Sequence, residues 1–147
     1  MIRRPVLASL ALVVLTGGCL EITDTDDHVP EQRAFARTAG TFASIQACRA
    51  AKARGDYPEL ATCQDQILLC PDGRAKTLIG GDVIERPGYH LDADTLVLSW
   101  DADYETTATL APDGTLHTED SVRPWLPVIV VDGIGWELGT CATAWGP

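Results

Sequence analysis

Alternating apolar and polar residues dominate the second half of the chain. Leu96, Leu98 and Trp100 fall on one face of an extended segment, and residues 104–110 alternate in the same way. Because successive side chains of a strand point to opposite faces, this pattern predicts strands with one face in a core and one in water. The predicted strands, six to eight depending on which short ones form, are 67–70, 75–79, 83–89, 95–101, 104–110, 115–119, 126–131 and 136–142.

Two copies of one turn sequence divide this β region. Pro71-Asp72-Gly73 and Pro112-Asp113-Gly114 each stand between apolar stretches. Proline presets the first turn position, aspartate bonds to the backbone ahead of it, and glycine accepts a positive φ, so each copy predicts a hairpin. Connections this short require an antiparallel meander.

The region before residue 67 has a helical period instead. Phe35, Phe42, Ile45 and Cys48 are spaced by 7, 3 and 3 residues, which places them on one face of an amphipathic helix within 31–54. Gly55 predicts its end, and Pro58 suits the first turn of a second, short helix that reaches residue 66. The sequence therefore predicts an α+β fold, in which an N-terminal helical hairpin packs on an antiparallel β-meander that curls toward a barrel.

The N-terminus has the order of parts found in an export signal. Arg3 and Arg4 precede an apolar run of about ten residues, which is too short for a bilayer span of roughly 20 residues. The run ends in Leu15-Thr16-Gly17-Gly18-Cys19, which resembles the processing site of bacterial lipoproteins. The resemblance implies cleavage before Cys19, a lipid anchor on that thiol and a place in the cell envelope. Leu20 favours the outer membrane, and a plain secretory signal is the alternative.

Cleavage there defines the domain organisation and the charge. The chain divides into a signal peptide, 1–18, a flexible acidic tether, 19–30, and a single domain, 31–147. Arg3 and Arg4, two of the 11 basic residues, leave with the signal while all 21 acidic residues stay, so the formal net charge moves from −10 to −12. A chain this acidic disfavours nucleic acid and anionic lipid surfaces as partners. Its charge is compatible with a basic protein partner, but solubility of a protein tethered at a crowded surface is the stronger explanation.

Four cysteines remain once Cys19 is assigned to lipid. An even number in an exported chain predicts two disulfides, for which three pairings exist. No CxxC spacing or nearby histidine completes a zinc site, and the sequence predicts no metal and no cofactor. In the predicted helical hairpin Cys48 and Cys63 lie at similar heights on neighbouring helices. That favours a Cys48–Cys63 bridge and leaves Cys70 to pair with Cys141.

The middle of the β region carries a family resemblance. Gly88-Tyr89-His90-Leu91, the alternating segment 95–100 and Asp113-Gly114-Thr115-Leu116 together resemble small exported β-barrel proteins of the lipocalin-like kind. The likeness covers residues 70–116. It implies a barrel or half-barrel with an internal cavity, and it transfers no catalytic residue to this chain.

Candidate chemistry is sparse. His28, His90 and His117 form no catalytic arrangement with a serine or cysteine by spacing, and no catalytic residue is assigned from them. Five carboxylates surround two consecutive turns and are the candidates for an acid pair or a cation site, namely Asp92, Asp94, Asp101, Asp103 and Glu105. Trp125 and Trp145, close to the C-terminus and to prolines, are candidates for exposed partner contacts.

Three functions are compatible with these features. The first is a non-enzymatic cell-envelope lipoprotein that binds a protein partner or a small apolar ligand, including an inhibitor of a cationic hydrolase. The second is a hydrolase that uses the turn carboxylates. The third is a structural or assembly lipoprotein without a ligand. A cavity large enough for a ligand would favour ligand binding, whereas a filled core with exposed Trp125 or Trp145 would favour protein contact.

Overall fold

A computed structural model describes residues 27–81, 83–119, 123–130 and 136–142. The signal peptide 1–18, the lipidation candidate Cys19, tether residues 19–26 and Trp145 lie outside the described residues. The described chain holds one helix and eight strands. In chain order these are β1 (Arg33–Thr38), α1 (Ile45–Ala53), β2 (Gln64–Leu69), β3 (Ala75–Leu78), β4 (Gly88–Asp92), β5 (Thr95–Asp101), β6 (Tyr104–Leu110), β7 (Leu116–Thr118) and β8 (Leu126–Val128).

The strands form two antiparallel sheets of four. Sheet I has the order β3-β2-β1-β8 and sheet II has the order β4-β5-β6-β7. Single bridges, Arg74 to Gly88 and Leu116 to Trp125, join the two sheets at two corners. No ladder within the described residues continues from one sheet into the other, so the predicted curling into a barrel is wrong.

The predicted N-terminal helical hairpin is also wrong, and the fold is mostly β. Residues 33–38 form the strand β1, between β2 and β8, although their alanines favour a helix. Pairing on both sides satisfies the backbone of this segment, and its side chains alternate, with Phe35 facing one side and Ala34 the other. Tertiary pairing has therefore overridden local propensity. The second predicted helix, 58–66, is replaced by turns and the start of β2.

The helix that does form is short and capped at both ends. Ser44 is its N-cap, since its Oγ accepts a hydrogen bond from the backbone N–H of Ala47 at 3.1 Å. Gly55 ends it with a φ of 77°, and the next N–H, of Asp56, returns to the carbonyl of Ala51 at 2.9 Å. This is the Schellman arrangement, which satisfies the last carbonyls of a helix. The predicted stop at Gly55 is confirmed.

Both predicted hairpin turns are present. Residues 71–73 connect β2 to β3, and residues 112–114 connect β6 to β7. Gly73 and Gly114 take φ values of 77° and 86°, which explains glycine at the third place of each turn. The bounds of β5 and β6 are the predicted ones, 95–101 and 104–110, whereas residues 83–87 and 136–142 are not strands.

The main core fills the space between the sheets. The face of each sheet that contributes to this core is its inner face, and the opposite face is its outer face. The core side chains come from both sheets: Phe35, Ile67, Leu69, Ala75, Tyr89, Leu96, Leu98, Ala108 and Leu116, with Val29 and Trp125 beside them.

A second cluster covers the outer face of sheet I. There Ala34, Leu68 and Leu78 pack with Leu138 from residues 136–142, named here the C-terminal segment. Lys76 of β3 also holds this segment, because its Nζ donates to the carbonyls of Leu138 at 3.3 Å and Thr140 at 3.1 Å. Sheet I is therefore buried on both faces.

Two disulfides fasten the fold, as predicted. Cys48–Cys63 joins α1 to the turn before β2, and Cys70–Cys141 joins the end of β2 to the C-terminal segment. This is the pairing that the sequence favours, but the reason given for it does not hold, since Cys63 lies in a turn and not on a second helix.

The last residues of the predicted tether belong to the folded domain. Val29 is buried, and its N–H donates to the hydroxyl of Tyr89 at 3.1 Å. That hydroxyl donates in turn to the carbonyl of Cys70 at 2.6 Å, and the N–H of Leu91 donates to the carbonyl of Asp27 at 2.6 Å. The domain thus begins by residue 27, before the predicted boundary at 31. No helix in the described ranges has the length and apolar character to cross a membrane.

Candidate functional site

A cleft of about 950 Å³ opens between the inner faces of the two sheets, beside the β5–β6 turn. Its walls combine apolar side chains from both sheets with charged side chains at the mouth. Its lining residues are Arg37, Ile67, Ile79, Glu85, Arg86, Pro87, Leu98, Trp100, Asp101, Tyr104, Glu105, Thr106, Thr107, Thr118, Glu119 and Trp125. A concave space of this size is typical of small-molecule sites.

Arg37 and Trp125 form the part of the lining that is named here the floor of the cleft, and Arg37 is in an ion pair with Asp65 behind it. The register of β1 and β2 places Arg37 directly opposite Asp65 on the inner face of sheet I. Arg37 Nε donates to Asp65 Oδ2 at 3.1 Å, and the N–H of Gly80 donates to Asp65 Oδ1 at 2.9 Å. Both oxygens of this buried carboxylate are therefore engaged, and Asp65 fixes the position of the guanidinium.

Trp125 lies under that guanidinium. The Cζ of Arg37 is 4.2 Å from the centroid of the indole ring, which is a cation–π contact. Trp125 is 1% exposed, so the prediction that it is an exposed partner contact is wrong. Its Nε1 and the hydroxyl of Thr77 have no hydrogen-bond partner within the described residues. A buried donor without an acceptor is unusual and calls for an explanation.

An aromatic pair stands at the mouth. The rings of Trp100 and Tyr104 are 6.4 Å apart, and Trp100 Nε1 donates to Thr106 Oγ1 at 3.1 Å. Tyr104 is 58% exposed. The mouth therefore offers apolar surface to the solvent next to the predicted turn carboxylates.

The structure divides the five candidate carboxylates into two groups. Asp92 and Asp94 flank one end of the seven-residue strand β5, and Asp101 and Asp103 flank the other, about 20 Å away. Asp101 Oδ1 accepts the N–H of Asp103, and Glu105 Oε1 accepts the hydroxyl of Ser99, both at 2.9 Å. No cluster of metal-ligating side chains occurs in the described parts of the chain.

The histidines lie apart from one another. His28 packs edge-on against Tyr89, with ring centroids 5.5 Å apart. His117 is exposed and shares a hydrogen bond with the hydroxyl of Thr115, and His90 is exposed on β4. The structure thus brings none of the three beside the cleft.

Two buried titratable groups also lie outside the cleft. Burial, reinforced by the charges of Arg86 and Arg74, lowers the pKa of Lys76, whose ammonium holds the C-terminal segment. Burial raises the pKa of Tyr89, whose hydroxyl joins the N-terminal residues to the end of β2. Both groups have structural partners, so their shifts follow from their place in the fold.

A smaller cleft of about 470 Å³ lies between α1 and the turn before β2. Two basic side chains, Arg49 and Lys52, belong to its wall. Lys52 Nζ donates to the carbonyl of Ala61 at 2.8 Å, so this ammonium is used to fasten the turn to the helix. The larger cleft is therefore the better candidate.

Sequence reasoning missed both residues at the floor of the larger cleft. The sequence pattern predicts a helix at Arg37 and an exposed Trp125, whereas the structure has a strand at Arg37 and a buried Trp125. The spacing of Phe35 and Arg37 by two residues is the signal that could have placed both on one face of a strand. No protein-family model, curated protein or solved structure matches the chain.

Proposed function

We propose that this chain is a non-enzymatic cell-envelope protein that binds a small amphiphilic ligand in the cleft between its two sheets. The observation that carries the proposal is the cleft itself, which has a volume of about 950 Å³. Ile67 and Leu98 give it apolar walls, and Arg37 gives it a polar floor. A ligand with an apolar part and a polar group fits this combination.

A small ligand is favoured over a protein partner by the position of Trp125. Trp125, one of the two tryptophans whose exposure would favour protein contact, is buried beneath Arg37. The aromatic and apolar surface of the site is concave instead. Such a surface encloses a small molecule more completely than it meets a folded protein.

The sequence of the N-terminus supports a lipid anchor for this binding domain. Cleavage before Cys19 and acylation of its thiol would attach the domain to a membrane, with the outer membrane favoured by Leu20. Residues 19–26 then separate the lipid from the domain. Mass spectrometry of the mature N-terminus tests this part, with a diacylglyceryl cysteine expected at Cys19 and a free or absent cysteine as the contradicting result.

Calorimetry with simple amphiphiles tests the binding function. We expect octan-1-ol, octanoate or octylamine to bind the wild-type protein at one site. Thr118→Trp, on the wall of the cleft, should remove binding by filling the space. Thr109→Trp, an exposed residue of β6 that does not line the cleft, is the matched control and should bind normally. Wild-type protein that binds none of the three compounds would overturn the proposal.

A further inference from the structure

The floor of the cleft presents hydrogen-bond donors that have no acceptors. A guanidinium carries five N–H groups, and Arg37 bonds through Nε alone within the described residues. The Nε1–H of Trp125 is a further donor, and it is buried without an acceptor within the described residues. The ring contact of 4.2 Å keeps these donors close together.

The donors are held in place by groups other than a ligand. Asp65 binds Arg37 with one oxygen and the backbone of Gly80 with the other. Asp65 lies within hydrogen-bond distance of Nε and not of the terminal nitrogens of Arg37, so those nitrogens remain available. The ion pair with Asp65 and the contact with the indole of Trp125 restrain the guanidinium from two sides, so the remaining N–H groups form a preorganised donor set.

From this donor set we infer that the ligand of the cleft carries a carboxylate, whose oxygens accept from the terminal nitrogens of Arg37. Trp125 Nε1 is closed to solvent, so the indole must turn slightly before Nε1 donates to the same carboxylate. The inference rests on the proposed binding function and adds the chemical class and orientation of the ligand. Its acidic head lies at the floor, and its apolar part lies along Ile67 and Leu98 toward the mouth. The planar fork of arginine matches the two oxygens of a carboxylate.

The lining also carries four exposed carboxylates, Glu85, Asp101, Glu105 and Glu119, whose charge attracts a cation to the mouth but is screened there by solvent. Asp101 and Glu105 already accept local hydrogen bonds, from Asp103 and Ser99, and they stay exposed to water. An ammonium group at the floor would bring further donors to a place where donors are in excess. A cation would therefore leave Trp125 Nε1 unsatisfied.

Calorimetry with three ligands of equal chain length tests the inference. Octanoate should bind wild-type protein at least about tenfold more tightly than octan-1-ol, because a charged acceptor strengthens the hydrogen bonds. Octylamine should bind most weakly. Equal affinities for all three ligands would overturn the inference and leave the binding function standing, whereas no binding of any ligand would overturn both.

Variants of Trp125, Arg37 and Asp65 test whether these residues cause the preference for octanoate over octan-1-ol. Trp125→Phe removes the N–H and keeps a ring, so it should weaken octanoate several-fold and leave octan-1-ol unchanged. The double variant Arg37→Gln with Asp65→Asn removes the guanidinium without stranding a buried carboxylate, and it should abolish the preference for octanoate. Thermal melting confirms that each variant is folded.

Arg33→Gln is the matched control, since Arg33 is an exposed arginine on the same strand, β1, and does not line the cleft. It should retain the preference for octanoate. Arg86 is the other arginine of the lining, and if Arg86→Gln removes the preference while Trp125→Phe does not, the floor is not the carboxylate site. A Trp125→Phe variant with wild-type affinity for octanoate would indicate that a buried water satisfies Nε1, and this too would overturn the assignment.

Discussion

Sheet I is covered on both faces, whereas sheet II is covered on one. In β2 five of six residues are buried, and in β3 all four are. In β5 burial alternates along the strand, with Leu96 and Leu98 in the core and their neighbours more exposed. The second cover of sheet I comes from the C-terminal segment, held by Cys70–Cys141 and Lys76. Sheet I therefore depends on distant parts of the chain, while sheet II is built from consecutive hairpins.

The largest expected difference in stability is between substitutions on the outer face of sheet I and on the outer face of sheet II. Leu68→Ala removes a fully buried side chain from the outer face of sheet I and should lower the free energy of unfolding by about 2 to 5 kcal/mol. Val97→Ala, on the outer face of the central strand β5, should cost less than about 1 kcal/mol, because Val97 is only half-buried. Urea unfolding of both variants gives the two values. Equal losses would show that the outer face of sheet II is covered as well.

The two Pro-Asp-Gly turns offer a finer comparison. Gly73→Ala and Gly114→Ala should each cost about 1 to 2 kcal/mol, since both residues have a positive φ. Gly73→Ala should cost more, because an added Cβ would lie 2.5 Å from His28 Nε2, whereas at Gly114 the nearest atom is 3.8 Å away.

Chemical denaturation of a double variant isolates that difference. In the His28→Ala background, Gly73→Ala should lower the free energy of unfolding by the same amount as Gly114→Ala does in the wild-type protein. If the cost stays higher without the imidazole, the packing of the N-terminal residues against this turn is not its cause.

The smallest effect concerns acid stability at the same turns. The side-chain hydrogen bond from Arg74 lowers the pKa of Asp72 below its ordinary 3.8, and that from Thr115 lowers the pKa of Asp113 in the same way. Each carboxylate therefore contributes stability that is present above pH 3.8 and is lost as the pH falls through the lowered pKa. Asp72→Asn and Asp113→Asn should each flatten the acid limb of a plot of stability against pH.

Salt distinguishes the two turns. Asp72 is in an ion pair with Arg74, whereas the partner of Asp113 is a neutral threonine. The charge of His117 contributes less than Thr115 to the lowered pKa of Asp113, so added salt should reduce the effect of Asp72→Asn more than that of Asp113→Asn. Thermal melts between pH 2 and 6 at two salt concentrations measure this. A salt response at Asp113 alone would contradict the comparison.

The contrast between the sheets also explains which elements the sequence predicts. A strand with one wet face shows a period of two, and the bounds of β5 and β6 follow from it. β2 has buried residues on both faces, so Ile67, Leu68 and Leu69 form a continuous apolar run, and the polar residues before them resemble the end of a helix. In β1 the alanines and a coincidental helical spacing of Phe35 with Phe42 concealed the strand.

The candidate site was predictable only in part. The resemblance of residues 70–116 to lipocalin-like proteins implied an internal cavity in a barrel or half-barrel, whereas the structure has an open cleft between two sheets. Two of the carboxylates named from the sequence, Asp101 and Glu105, do line this cleft. Its floor was not predictable, because Arg37 and Trp125 are 88 residues apart in sequence and meet only through the antiparallel pairing of β1 with β8. Predicting this contact requires the register between strands that are distant in sequence, and local sequence patterns do not give that register.

Of the four cysteines that follow Cys19, the two disulfides join neighbours in the chain, Cys48 with Cys63 and Cys70 with Cys141. A chain that is exported N-terminus first, as proposed, brings Cys48 and Cys63 out together before Cys141 emerges. Oxidation in order of emergence therefore gives the native pairs, without a later exchange of partners. The protein would then mature through an oxidase alone, and loss of a disulfide isomerase would leave its yield unchanged.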